Sequence, residues 1–197
     1  MYELLIPLTL FALAGTVTPG PNNVMLTASG AAFGFWRTLP HMLGITVGFP
    51  VMIAGVGLGL GEVFTRYPDL HLALKYIGAA YLIYLAWRIA KASGPDGGET
   101  AGEPLTFLEA AGFQWVNPKA WMMAVSTIPA FTTVGGNYYA ELAVIALVYA
   151  VICVPSCAAW CLFGVGIRRL ISSPSTARVV NLALALTVAL SVILLFI

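Results

Sequence analysis

The sequence predicts an all-α integral membrane protein of six transmembrane helices, arranged as two inverted three-helix repeats with the first and fourth helices broken. Three observations carry that prediction. Of 197 residues 60% are hydrophobic and 9% charged, against roughly a quarter charged in an ordinary soluble domain, and the mean hydropathy is +0.92. Residues 4–36, 38–61, 120–140, 142–167 and 179–197 contain no Asp, Glu, Lys or Arg, and most are long enough to cross a hydrocarbon core of about 30 Å. Twice a proline-centred polar cluster interrupts such a stretch, at Thr18-Pro19-Gly20-Pro21-Asn22-Asn23 and at Asn117-Pro118-Lys119.

Span 1 covers about residues 3–35, and the prolines at 19 and 21 remove backbone donors and break it. Its apolar run begins without a basic residue and continues past any plausible cleavage point, so residues 1–37 are expected to be retained. Span 2 covers about 38–63, where Gly44 with Gly48, and Gly55, Gly57, Gly59 and Gly61, read as close-approach or flexible positions. Span 3 covers about 68–92. The polar segment 93–104 then divides one membrane domain, residues 1–197, into halves of about 1–92 and 105–197.

Span 4 covers about 105–132 and is broken at Pro118; span 5 covers about 138–168 and span 6 about 175–197. Cys153, Cys157 and Cys161 form one stripe of span 5, with no His or acid beside them, and read as small packing residues rather than a metal site. Pro50, Pro129 and Pro155 read as packed kinks. Trp36, Trp87, Trp160, Tyr138 and Tyr139 read as interfacial anchors; Trp115 and Trp121 flank the second break and either wall a cavity or meet lipid.

Basic residues set the orientation. The loops after spans 1, 3 and 5 hold Arg37, Arg88, Lys91, Arg168, Arg169 and Arg178, whereas the opposite side has Arg66 and Lys75. Positive charge collects on the cytoplasmic side, which puts both termini outside. A repeat inverted in this way pairs Pro19 with Pro118, Pro50 with Pro155, and Lys75 and Gly78 with Arg178 and Asn181.

The candidate site follows from the breaks. A half-helix starting at Pro21 offers the N–H groups of Asn22, Asn23 and Val24 to a carboxylate, and the carbonyls of Val17 and Thr18 are acceptors for an ammonium. The candidate site is therefore Thr18, Pro19, Gly20, Pro21, Asn22, Asn23, Asn117, Pro118 and Lys119, a set able to hold a small zwitterion. Lys119 is costly near the midplane unless compensated; it either meets a substrate carboxylate or snorkels to an interface. Glu109 reads as a gate or proton carrier, or as an interfacial carboxylate, with Gln114 lining the same passage. His41 titrates in a useful range but also reads as an interfacial hydrogen-bonding residue; His71 is treated as surface.

Several of these motifs occur together: Thr18-Pro19-Gly20-Pro21-Asn22-Asn23, Gly34-Phe35 with Arg37-Thr38, Gly44-Ile45-Thr46-Val47-Gly48, Gly78-Ala79-Ala80-Tyr81-Leu82 followed by Leu85-Ala86-Trp87, and Asn117-Pro118-Lys119-Ala120. In this order they resemble the LysE/RhtB family of bacterial amino-acid exporters, the threonine/homoserine/cysteine-type efflux proteins. The resemblance implies export of an amino acid or close metabolite across the bacterial inner membrane, driven by protons. Two positions depart from it: Phe49 stands where many members carry Asp, and Pro129-Ala130-Phe131 where many read Pro-Gln-Phe. No cofactor or metal is called for, and a homo-oligomer is left open. A net charge of +1 gives no basic face for nucleic acid. The rival readings are a channel, or an intramembrane enzyme using Lys119 and Glu109.

Overall fold

The computed structural model describes residues 2–91, 103–170 and 173–196. The expected linker at 93–104 therefore lies mostly outside the described residues, as do Met1 and Ile197. Regular structure among the described residues is helical throughout: α1 (Tyr2–Val17), α2 (Pro21–Phe33), α3 (Phe35–Gly55), α4 (Gly61–Arg66), α5 (Pro68–Lys91), α6 (Phe107–Phe113), α7 (Pro118–Phe131), α8 (Tyr138–Leu170) and α9 (Pro174–Leu190). A π-helical turn (Val56–Leu60) continues α3, with Gly59 at φ 111°, a conformation that excludes most side chains.

Three helices are long and apolar enough to cross a membrane, Phe35–Leu60, Leu72–Lys91 and Tyr138–Arg169. Leu4–Val17 and Pro21–Phe33, bent by 56°, reach that length only together, as one broken span or a re-entrant loop. The residues expected as spans 4 and 6 form shorter helices that are not among those candidate crossings. Asn117-Pro118 cuts the first of these into α6 and α7, joined by a 3₁₀ turn at Gln114–Val116. The second stops at Leu190, after which Ile193–Leu195 tightens into 3₁₀ geometry.

The long helix α8 is the centre of the packing, touching α1, α2, α3 and α7. Its approach to α2 has no room for side chains. A Cβ on Gly30 would fall on the Cys161 carbonyl, and one on Gly164 on the Thr27 carbonyl. All three cysteines of that stripe are buried. Gly44 and Gly48 likewise let α3 lie against the backbone of Phe107 and Ala111 in α6. Gly164→Val is thus expected to lower stability by at least about 1–3 kcal/mol, because backbone and not a movable side chain blocks the added atoms. A thermal melt of the purified protein beside the wild type checks this.

Two buried clusters result. One contains Leu26, Leu82, Phe113, Cys161 and Val188; the other contains Leu8, Met52, Ile145, Tyr149 and Cys153. Trp36, Trp87 and Tyr139 are exposed on the outer surface.

Candidate functional site

The first break is built from local chemistry. α1 ends at Val17, Gly20 is fully extended at φ −176°, and Pro21 opens α2 with its fixed φ and no N–H to satisfy. Gly20 supplies no capping side chain. Val24 N donates to the Gly20 carbonyl, so the sequence expectation of three open donors contracts to those of Asn22 and Asn23. The carbonyls are also less open than expected. Asn23 Nδ2 donates to Thr16 O and Thr18 O, both at 2.8 Å, and Ser156 of α8 donates to Thr16 O at 3.0 Å. Asn23 is 6% exposed and works as an internal staple across the bend.

The second break repeats the device with a different cap. Asn117 Oδ1 accepts from Lys119 N at 3.2 Å, Pro118 occupies the first helical position, and Trp121 Nε1 reaches back to the Trp115 carbonyl at 2.8 Å. The two breaks meet. Lys119 Nζ donates to the Thr18 carbonyl, to Thr18 Oγ1 at 2.8 Å and to the Pro19 carbonyl at 3.3 Å. These use the three donors of an ammonium, but every acceptor is neutral. Among the described residues no carboxylate shares this charge. A second junction joins Asn22 Nδ2 to Gln114 Oε1 at 2.8 Å and Gln114 Nε2 to Asn22 Oδ1 at 3.1 Å.

Around these junctions lies a cleft that encloses about 420 Å³ of empty space, open solvent included. Gly20, Asn22, Asn23, Gln114, Asn117 and Lys119 form its polar wall; Ile45, Phe49, Met123, Cys153 and Cys157 form much of the apolar one. Phe49 is buried and packs edge-on against Tyr149 at 5.2 Å. Tyr149 in turn hydrogen-bonds Thr127 at 2.8 Å.

A family model described as LysE type translocator matches residues 13–197, which include both breaks and the whole cleft. The chain belongs to the LysE type translocator family. Among curated relatives, the cysteine/O-acetylserine efflux protein of Klebsiella pneumoniae subsp. pneumoniae is 36% identical over 124 residues. That match spans 61% of the translocator and 61% of the relative's own length. The protein of the same name from Escherichia coli K12 is 28% identical over 177 residues, 89% of each chain. The Salmonella typhimurium LT2 protein, also so named, is 32% identical over 125 residues, 61% of the translocator and 62% of that relative. No solved structure matches. Family and apolar helices together support a membrane-embedded protein.

The residues singled out from the translocator's sequence fall into groups. Gly20, Asn22, Asn23, Asn117 and Lys119 line the cleft; Thr18 and Pro19 instead hold Lys119, and Pro21 and Pro118 are buried starts of half-helices. Gln114, expected in the passage, lines the cleft itself. Glu109 does not. Its carboxylate closes a capping box with Thr106, accepting from Thr106 N and Oγ1 at 2.8 Å. His41 is buried one turn from Ile45, in a different cavity. Trp115 and Trp121 pack on each other outside the cleft lining. Thr16, Ser156, Cys153 and Cys157 line the cleft unanticipated. The helical spacing of 153, 156 and 157 puts those three on one face, a signal that becomes readable only once that face is known to meet the break.

Proposed function

We propose that this chain exports a small amino acid or related metabolite from the cytoplasm, as a proton-coupled secondary carrier working by alternating access. The observation that carries the reading is the junction of the two helix breaks, where the Lys119 ammonium is held by neutral oxygens only. A cation near the membrane midplane costs at least a few kcal/mol unless compensated, and a substrate carboxylate in the adjoining cleft offsets that cost. The substrate ammonium finds acceptors in the side-chain oxygens of Asn22, Gln114 and Asn117 lining the same cleft. The names of the relatives make cysteine and O-acetylserine the first substrates to test.

Two three-helix halves, inverted in an inner membrane with both termini outside, would rock around this site. The Asn22–Gln114 pair and the Lys119–Thr18 bonds are the contacts broken and remade, since each joins residues about half a chain apart. No carboxylate lines the cleft among the described residues, so Lys119 is the group there that a coupled proton meets.

Counterflow in proteoliposomes, screened with labelled O-acetyl-L-serine, L-cysteine and a wider amino-acid panel, tests the reading. We expect saturable exchange of at least one compound, accelerated by a pH gradient. Asn22→Ala should reduce it about tenfold, as expected for loss of a polar partner contributing about 1–3 kcal/mol. Flux rising linearly with concentration without counterflow would indicate a channel, and turnover without compartments an enzyme.

A further inference from the structure

A second cavity, enclosing about 570 Å³ of empty space with open solvent included, is lined in part by Arg88. Met25 and Ser29 of α2, His41 of α3, Arg88 of α5 and Glu103 are among the residues that line it. It is distinct from the central cleft but lies on the same two helices. Ser29 is seven residues along α2 from Asn22, roughly 10 Å at the helical rise, and His41 is one turn along α3 from Ile45.

His41 is the unusual member. Its side chain is 1% exposed, and among the described residues neither ring nitrogen has a hydrogen-bond partner. A buried polar group without a partner is destabilising, and leucine or phenylalanine would fill the position without that cost. Two residues of opposite charge, Arg88 and Glu103, line the same cavity. Arg88 spends one donor, Nη2, on the Glu103 carbonyl at 2.7 Å and packs over Tyr84 at 5.8 Å, which fixes its guanidinium and leaves further N–H groups. Glu103, which is exposed, is the acidic residue of the lining.

We propose that this cavity is a second subsite for a zwitterionic amino acid, on the entrance side of the central cleft, with Arg88 taking the carboxylate and Glu103 the ammonium beside the buried His41 ring. The identity of the ligand rests on the amino-acid reading of the central cleft. Occupied in turn, the two subsites pass the substrate from a hydrated mouth to the junction without leaving either of its charges unpaired.

The chain has two histidines, so ¹⁵N-histidine NMR of the purified full-length protein in nanodiscs, in a His71→Gln background, reports on His41 alone. Titration with O-acetyl-L-serine should move the His41 ring resonances saturably, and equally in a Lys119→Met variant whose central site is disabled. Acetate and ethylammonium should each bind at least about tenfold more weakly, as should O-acetyl-L-serine to Arg88→Gln and Glu103→Gln. Glu103→Gln leaves the Arg88-to-carbonyl bond in place and serves if Arg88→Gln does not fold. No saturable movement in the wild type would overturn the subsite. So would movement unaffected by both charge variants, or movement abolished by Lys119→Met. Counterflow of the wild type separates the two readings: a responsive His41 without exchange of any amino acid leaves the subsite and removes the export function. Exchange with a silent His41 does the reverse.

Discussion

Replacing Lys119 with methionine should cut transport by on the order of 10–100-fold while leaving a folded protein. The variant removes the only positive charge lining the cleft among the described residues and keeps a chain of similar length, a change that folds usually tolerate when a desolvated charge is exchanged for an apolar group. The Thr18 carbonyl keeps its bond from Asn23, so the break itself survives. A hydrogen bond to a charged group contributes about 1.5–3 kcal/mol, so initial counterflow rates should fall on the order of 10–100-fold. Lys119→Arg should not rescue. The lysine stem runs so close to Gly20 that a Cβ there would lie 2.6 Å from Lys119 Cδ, and a planar guanidinium needs more room than this approach leaves. Counterflow together with size-exclusion profiles of both variants checks the pair of expectations.

Asn23→Ala should act on the fold first. Its two side-chain donors bridge Thr16 and Thr18 across the bend, and their loss should cost about 1–3 kcal/mol of stability. Transport should fall together with the melting temperature. Asn22→Ala should lose transport with a smaller change in melting, because Asn22 bonds Gln114 on the other half rather than the break itself. An Asn23→Ala protein as stable as the wild type but inactive would return Asn23 to direct ligand contact.

The difference between these neighbouring asparagines shows what the sequence could and could not disclose. Proline acts on its own backbone, so the interruptions at Pro19–Pro21 and Pro118 were legible, and the helices stop and restart within a few residues of where the prolines require. Apolar length and composition gave the membrane class for the same local reason. The partners of each polar group depend on which segments meet, and no periodicity encodes that. The bond from Lys119 to Thr18 spans 101 residues. The Asn22–Gln114 pair spans 92. Glu109 is an instructive middle case. Thr106 and Glu109 have the spacing of a capping box before an apolar run, a signal present in the sequence that competes with the gate reading. Phe49 marked the loss of an acid that many members of the family carry, but only the fold pairs it with Tyr149 in the cleft wall.

The claim that the Lys119 ammonium recognises a substrate carboxylate is tested most directly by comparing two competitors of one labelled substrate in wild-type counterflow: the unlabelled amino acid and its carboxamide, in which the carboxylate is replaced by a neutral amide. We expect the carboxamide to compete at least about tenfold more weakly, the size of effect that follows from losing one charged hydrogen bond. Equal competition by the two compounds would contradict the assignment of Lys119 as the carboxylate partner.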